Sequence, residues 1–250
     1  MRKYTVITAV LALMLLAATP VYADGNWFST ITGVKVWDPD AVPGESVIWS
    51  GPKSSEGYAE GTGTLHMYRD SRLLRIYEGN LVKGKYQGTG TLKWVTGATY
   101  EGTFQEGLFQ GKGSLKYSDG SVYQGDFAAG KRTGLGVMKW TDGSTFEGSF
   151  VNDKQQGKGV FTWASGDTYQ GDFFSDMRHG KGIYKWANGA VYEGDWTYGH
   201  RTGQGKYTWA DGAWYEGGFV DGERQGFGML HDAKGNTVKY GLWARDQFID

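Results

Sequence analysis

The stretch YQGDFFSDMRHGKGIYKWANGAV, residues 169–191, is one unit of a pattern that recurs every 23 residues. Each unit begins with an aromatic residue, a polar residue and a glycine, and a Gly-x-Gly motif starts eleven residues after the aromatic residue. A fixed period of this length is the sequence signature of a repeat architecture. The aromatic residue and the glycine of the seven units are Tyr77 and Gly79, Tyr100 and Gly102, Tyr123 and Gly125, Phe146 and Gly148, Tyr169 and Gly171, Tyr192 and Gly194, and Tyr215 and Gly217.

Alternation within each unit predicts two β-strands. Tyr169, Gly171 and Phe173 alternate with polar residues, and residues 180–186 alternate in the same way. A period of two is typical of strands that present different side chains on their two faces. We therefore expect an all-β fold, an elongated single-layer antiparallel β-meander of about eight repeated hairpins.

Recurring glycines predict the turns between the strands. The position of Asp176 is glycine in five of the seven units, and Gly followed by any residue is typical of a two-residue type II′ turn. At Gly166, a three-residue loop with a bulge would keep Phe161 and Tyr169 on one face. The predicted register places large rings opposite glycines, in the pairs Phe104 with Gly111 and Phe173 with Gly157. It also pairs Gly159 with Gly171, and on the polar face it places Glu216 opposite Lys206.

The repeated motif resembles a known family. Tyr-Glu-Gly-x-Phe, followed by Gly-x-Gly and by Asp-Gly or Asn-Gly, is similar to the MORN (membrane occupation and recognition nexus) repeat. The departures are small, since Gln124 and Gln170 replace Glu and Phe146 replaces Tyr. The resemblance implies an elongated single-layer sheet used in scaffolding and, in eukaryotic members, lipid or membrane association. Because the family is functionally diverse, the resemblance is more informative about fold than about function.

The ends of the array depart from the pattern. Trp49-Ser50-Gly51, with Gly61 and Gly63, is interpreted as a divergent first copy, and residues 239–243 as a closing half-repeat. Terminal units of repeat arrays are often atypical because one side faces water. The predicted organisation is a signal peptide at 1–23, an N-terminal cap at 24–46, the MORN repeat array at 47–243 and a C-terminal tail at 244–250.

The first residues predict export. Arg2 and Lys3 precede an apolar run over residues 6–18, which is the layout of a signal peptide. This run is shorter than the ~20 apolar residues that a transmembrane helix needs. We expect a periplasmic or extracellular protein, with an uncleaved membrane anchor as the alternative. Without Arg2 and Lys3 the chain has 24 basic and 27 acidic residues, and this net charge of −3 disfavours nucleic acid and anionic membranes.

Residues typical of catalysis or metal binding form no recognisable motif. The chain has no Cys, which excludes disulfides and thiolate zinc sites, and it has no phosphate-binding glycine loop. Asp-Gly pairs such as Asp119-Gly120 fit turns and lack the clustered oxygen ligands of a calcium loop. The regular glutamates, such as Glu101, are interpreted as a solvated ladder. The four histidines are scattered along the sequence: His66, His179, His200 and His231. From these observations together, we predict a non-enzymatic protein without cofactor, metal or small-molecule substrate.

The aromatic face is the candidate binding surface. Most of its rings are expected to pack on one another and on glycines, but a single layer cannot hide all of them. Exposed apolar patches above a few hundred Å² commonly mark interaction sites. The candidate residues are Tyr77, Tyr100, Tyr123, Phe146, Tyr169, Tyr192, Tyr215, Trp94, Trp140, Trp163, Trp186 and Trp209.

Three hypotheses for the function follow. The first is an interaction scaffold of the cell envelope that binds a protein partner, or a second copy of itself, through this face. The second is a glycan or cell-wall binding module, because rings along a strip can stack on sugars. The third, membrane-lipid association, is implied by the resemblance, although the net charge of −3 weakens it.

Overall fold

The computed structural model describes residues 27–30, 33–39 and 44–249. The predicted signal peptide, residues 1–23, lies outside them. The chain divides into two compact units, residues 1–131 and 132–250. The described residues form strands and turns, and none of them belongs to a helix that could cross a membrane.

The first unit is a series of antiparallel hairpins. Two short strands pair with each other, and the following strands pair in chain order from β3 to β9. The strands are β1 (Trp27–Ser29), β2 (Lys35–Trp37), β3 (Glu45–Trp49), β4 (Gly61–Arg69), β5 (Arg72–Val82), β6 (Lys85–Trp94), β7 (Thr99–Gln105), β8 (Leu108–Lys116) and β9 (Val122–Ala128).

The second unit continues the same hairpin pattern. Its strands also pair with their neighbours in chain order, all antiparallel. The all-β antiparallel meander of repeated hairpins is therefore confirmed. The strands are β10 (Lys131–Lys139), β11 (Thr145–Val151), β12 (Lys154–Thr162), β13 (Thr168–Phe174), β14 (Met177–Lys185), β15 (Val191–Thr197), β16 (His200–Thr208), β17 (Trp214–Val220), β18 (Glu223–His231), β19 (Thr237–Ala244) and β20 (Gln247–Phe248).

The two-residue turns have the predicted length but not the predicted type. Glu106 and Gly107 connect β7 to β8 with φ of 51° and 85°, so both central residues are left-handed. This is a type I′ turn, with the glycine second, and the type II′ prediction was wrong. The glycine N–H donates to the carbonyl of Tyr86 at 3.0 Å, which ties each turn to the preceding hairpin.

The change of turn type moves the register near the turn. Phe104 pairs with Phe109 rather than with Gly111, so that predicted pair was wrong. A bulge at Gly111 and Lys112 then restores the register, and Gly111 is left-handed, with φ of 64°. Away from these turns the predicted pairs are confirmed: Phe173 with Gly157, Gly159 with Gly171, and Glu216 with Lys206.

The three-residue loops are confirmed. Gly166 donates its N–H to the carbonyl of Trp163 at 2.9 Å, and Trp163 donates to the carbonyl of Asp167 at 2.9 Å. Gly166 is left-handed, with φ of 91°. As a result, Phe161 pairs with Tyr169 and their rings share a face.

The core of each repeat is an aromatic ring, tyrosine in six repeats and Phe146 in the other, that lies flat on two glycines. Tyr100 is fully buried, and a Cβ added to Gly102 would lie 2.5 Å from its Oη. A Cβ on Gly113, in the next strand, would lie 2.6 Å from the same ring. The Tyr100 hydroxyl donates to the carbonyl of Thr103 at 2.9 Å, beside the bulge. Two bare backbone positions therefore make the slot that the ring fills.

The same geometry occurs at the divergent N-terminal copy. A Cβ added to Gly63 would lie 2.6 Å from the Trp49 ring, and one on Gly51 would also contact it. Trp49 Nε1 donates to the carbonyl of Pro52 at 2.7 Å, three residues on, as the tyrosine hydroxyls do. An indole thus replaces the phenol in this copy.

A buried ion cluster joins the cap region to the first hairpins. Arg75 Nη2 lies 2.7 Å from Asp38 Oδ2 and 3.7 Å from Glu45 Oε2, and both carboxylates are buried. Burial and the nearby Asp38 carboxylate raise the pKa of Tyr86 well above its ordinary value. Asp38 and Glu45 lie outside the 23-residue pattern, and the pattern does not predict their contacts with Arg75 and Tyr86.

Candidate functional site

The structure separates the predicted ring face into a buried and a partly exposed set. The seven residues that open the repeats are fully buried and present no surface to a partner. The five tryptophans are only half-buried. The surface available for binding on this face is therefore formed by the tryptophans Trp94, Trp140, Trp163, Trp186 and Trp209.

In the second unit four of these tryptophans belong to one continuous row of rings. Trp163 and Tyr184 have ring centroids 5.1 Å apart, and Tyr184 and Trp186 follow at 4.5 Å. Neighbouring pairs along the row have centroid distances of 4.4–5.2 Å. We call this row the aromatic ladder; it consists of Trp140, Phe161, Trp163, Tyr184, Trp186, Tyr207 and Trp209.

Arginine side chains of the second unit pack against the rings of the ladder and of the neighbouring strands. The guanidinium of Arg178 lies 4.4 Å from the ring centroid of Trp196 and 5.1 Å from that of Tyr184. Its Nη2 also donates to the carbonyl of Gly199 in the next turn, at 2.8 Å. A planar guanidinium can stack on a ring and donate hydrogen bonds at its edge. Arg201 and Arg224 repeat the arrangement, 23 and 46 residues further on.

The first unit places aromatic residues where the second has these arginines. Phe109 stacks on Tyr100 with ring centroids 3.7 Å apart, and Tyr86 stacks on Tyr77 at 4.2 Å. Both residues precede Arg132 at the same 23-residue step. This position is therefore aromatic in these two repeats of the first unit, and in the second unit it is arginine in every repeat except the one with Gln155.

Sequence reasoning missed the arginines, although a signal was present. Arg132, Arg178, Arg201 and Arg224 share one position of the repeat. A type II′ turn at the position of Asp176 would place Arg178 at the edge of the loop rather than inside a strand. With the type I′ turn it becomes a strand residue that faces the rings.

Burial controls the acid–base properties of the tyrosines. Loss of solvent raises the pKa of Tyr77 and of Tyr100 to about 12. Burial also raises the pKa of Tyr184 to about 12, and its hydrogen bond to Asp167, 2.9 Å long, adds to the effect. None of these hydroxyls is poised to exchange a proton near neutral pH.

The opposite face is polar and bears cross-strand ion pairs. Lys158 lies 2.8 Å from Asp172, and Lys181 lies 2.7 Å from Asp195, one repeat later. In the first unit this face forms an open groove of about 730 Å³, lined by threonines, glycines and residues such as Glu101 and Lys112. Exposed pairs of this kind contribute about 0–1 kcal/mol each.

The residues considered for metal binding occupy structural roles. Asp119 Oδ1 accepts the N–H of Ser121 at 2.8 Å, and Asp142 does the same for Ser144. These are the side-chain-to-backbone bonds that turns favour. Within residues 27–30, 33–39 and 44–249, no group of His, Asp and Glu side chains could hold a metal ion.

A small cavity lies beside the ion cluster of the first unit. It has a volume of about 170 Å³, and Asp38, Arg75 and Tyr86 supply its polar lining. Trp94 and Phe109 form part of its apolar wall. No feature of the repeat pattern predicts a cavity here.

The repeat geometry agrees with one family model. Seven consecutive units match the MORN repeat, at residues 77–99, 100–122, 123–145, 146–168, 169–191, 192–214 and 215–237, and together they span more than half of the chain. The chain belongs to the MORN repeat family. In this MORN protein the ring, the two glycines and the bulge carbonyl form the structural unit of each repeat.

Solved structures resemble the MORN array more distantly. One is the TCP domain of SAS-4 (dCPAP) of Drosophila melanogaster in complex with a proline-rich motif of Ana2 (dSTIL), at 12% identity and a TM-score of 0.41, covering 62% of this chain and 85% of that chain. Another is the wild-type TCP10 domain of Danio rerio CPAP, at 13% identity and a TM-score of 0.31, covering 77% of this chain and 94% of that chain. No curated protein matches the sequence.

Proposed function

We propose that this MORN protein is an exported, non-enzymatic scaffold of the cell envelope that binds a protein partner, or a second copy of itself, through the aromatic ladder. One observation carries the proposal. The tyrosines are fully buried by glycines, yet the tryptophans beside them stay half exposed along a continuous row. Aromatic side chains are enriched at protein interfaces, because they bury a large area with few rotatable bonds.

Packing supports a binding role more than a catalytic one. The buried tyrosines have raised pKa values and are bonded to backbone carbonyls, as Tyr100 is to Thr103. Glu78 of the opposite face forms a cross-strand ion pair with Lys93 at 3.1 Å. Turnover of any substrate that is abolished by a single Glu or His substitution would contradict the proposal.

Site-specific crosslinking in cells tests the binding surface. A photoreactive residue at Ala187, in the exposed loop after Trp186, should crosslink to a protein that mass spectrometry identifies. The same residue at Val160, which is 39% exposed on the opposite face, is the matched control. We expect the Ala187 crosslink to disappear when Trp186→Ala is added, and the Val160 position to give none.

Two other outcomes would identify a ligand other than a protein for the aromatic ladder. Retention of residues 24–250 on purified peptidoglycan, with loss of retention in Trp186→Ala, would identify a glycan-binding module instead. Co-sedimentation with neutral liposomes, again dependent on Trp186, would identify lipid association through the apolar surface. Equal crosslinking from both faces would contradict a dedicated binding face.

A further inference from the structure

The spacing of the aromatic ladder limits which ligand can match it. The centroid distances of 5.1 and 4.5 Å through Tyr184 place Trp163 and Trp186 at most about 9.6 Å apart. Through Tyr207, with distances of 5.2 and 5.0 Å, Trp186 and Trp209 are at most about 10.2 Å apart. A step of two strands at roughly 4.8 Å each gives the same period. The ladder therefore presents one indole about every 9–10 Å.

We propose that the aromatic ladder binds a proline-rich segment of a partner protein in the polyproline II conformation. This conformation has three residues per turn and a rise of about 3.1 Å, so equivalent side chains recur about every 9.3 Å. Each turn of the ligand would then meet one indole, and nine residues would span Trp163, Trp186 and Trp209. The inference rests on the proposed function and names the class of partner for the same surface.

Hydrogen-bond donors and charge on the ladder complement this ligand. The indole N–H groups of Trp163, Trp186 and Trp209 have no acceptor among the described residues, and they are not buried. Within the described part of the chain, Arg178 and Arg201 have no carboxylate in ion-pair distance. The Asp167 carboxylate beside the ladder already accepts hydrogen bonds from the Tyr184 hydroxyl and the Ala187 N–H, so the free groups of the surface are donors and positive charges. A proline-rich segment offers only acceptors, because proline has no N–H and polyproline II carbonyls have no internal partner.

The tilt of the rings favours proline over a sugar. Neighbouring ladder rings meet at 38° between Trp163 and Tyr184, 50° between Tyr184 and Trp186, and 54° between Trp186 and Tyr207. Rings tilted in this way do not form one flat platform, and polyproline II segments are recognised by non-planar surfaces lined with aromatic rings. A sugar ring stacks instead on a flat, open ring face, and neighbouring ladder rings lie within 4.5–5.2 Å of each other without sharing a plane.

Binding of a labelled oligoproline tests the inference directly. The probe is a nine-residue oligoproline with a fluorescent dye, titrated with the protein and followed by anisotropy; a Gly-Ser peptide of equal length is the negative probe. Trp186→Phe keeps a ring and removes the N–H, and should weaken binding about 3–10-fold, as expected for one hydrogen bond. Trp186→Ala should weaken binding further.

The matched control is another tryptophan of the same unit. Trp214 is half-buried on the opposite face, where it stacks on His231 at 4.5 Å. Trp214→Phe should leave oligoproline affinity within twofold of the unchanged protein, and circular dichroism of each variant confirms that it folds.

Three results would overturn the inference. These are no binding of oligoproline at millimolar concentration, equal weakening by Trp186→Phe and Trp214→Phe, and displacement of the probe by soluble peptidoglycan fragments with higher affinity. A protein crosslink at Ala187 without oligoproline binding would leave the proposed function standing and remove only the proline-rich partner.

Discussion

At the residue scale, the ring and the glycines depend on each other. Tyr100 fills its slot only because Gly102 and Gly113 have no side chains. Its hydroxyl then satisfies the Thr103 carbonyl at the bulge, where the strand ladder is interrupted. One aromatic residue thus supplies both the apolar core and the missing hydrogen bond of a repeat.

Gly102→Ala should destabilise the protein by about 1–3 kcal/mol, because overpacking forces neighbours to move. The added Cβ would lie 2.7 Å from the Gly113 Cα, which is backbone and cannot rotate away. Urea unfolding measures the effect. Thr103→Ala, on the opposite face, should change the free energy of unfolding by less than about 0.5 kcal/mol. Equal effects of the two substitutions would contradict the slot.

The buried tyrosines predict a loss of stability at high pH. The folded pKa of Tyr100 is about 12, above the ordinary value of 10, so the unfolded chain releases this proton first. The stabilisation is complete below pH 10 and is lost as the pH rises towards 12. Denaturant unfolding between pH 9 and 11 should show a falling free energy of unfolding, with a shallower fall in Tyr100→Phe. An identical pH dependence in both proteins would be evidence against this.

At the element scale, the type of the two-residue hairpin turns could not be predicted from the sequence. The 23-residue period and the parity of the strands were sufficient for the strands, the three-residue loops and most of the register. A recurring glycine alone did not reveal whether it stands first or second in a two-residue turn. The N–H of the second residue bonds to the preceding hairpin, as Gly107 does to Tyr86, and this contact between repeats is invisible within one repeat.

The type I′ geometry predicts a stabilising substitution. Lys83 is exposed and has φ of 47° before Gly84, whereas Asn-Gly is the pair that such turns favour. Lys83→Asn should raise the free energy of unfolding by about 0.5–1 kcal/mol. Lys83→Val should lower it, because a β-branched residue is strained at positive φ. Urea midpoints measure both, and a stabilising Val would contradict the turn assignment.

The aromatic ladder shows the same limit for the candidate site. The tryptophans were predicted from their period, but the depth of burial of Tyr169 and its equivalents depends on the glycines of the next strand. The role of Arg178 depends on the turn type, and the Asp38–Arg75 pair depends on a fold-back of the chain that no repeat encodes. Periodic features could be predicted, while contacts between non-equivalent segments could not.

At the scale of the whole molecule, a destabilising substitution in a repeat array should affect mainly its own repeat and the adjacent ones. Each repeat contacts mainly the preceding and following ones, so stability is close to a sum over repeats and their interfaces. Trp196 and Trp243 allow a matched comparison. Both are 3% exposed, both lie 4.4 Å from an arginine, and both donate Nε1 to a glycine carbonyl, at 3.1 and 3.2 Å.

The position of each tryptophan in the array should determine how many strands lose hydrogen-exchange protection when it is replaced by alanine. Trp196→Ala removes packing from an internal strand, so hydrogen exchange should accelerate on both sides of it, from β13 to β16. Trp243→Ala, costing about 3–5 kcal/mol locally, should accelerate exchange only in β18–β20, because just two residues of β20 follow in the ladder. Uniform loss of protection throughout the second unit in both variants would mean that it unfolds as one cooperative body, and the neighbour-by-neighbour account of its stability would then fail.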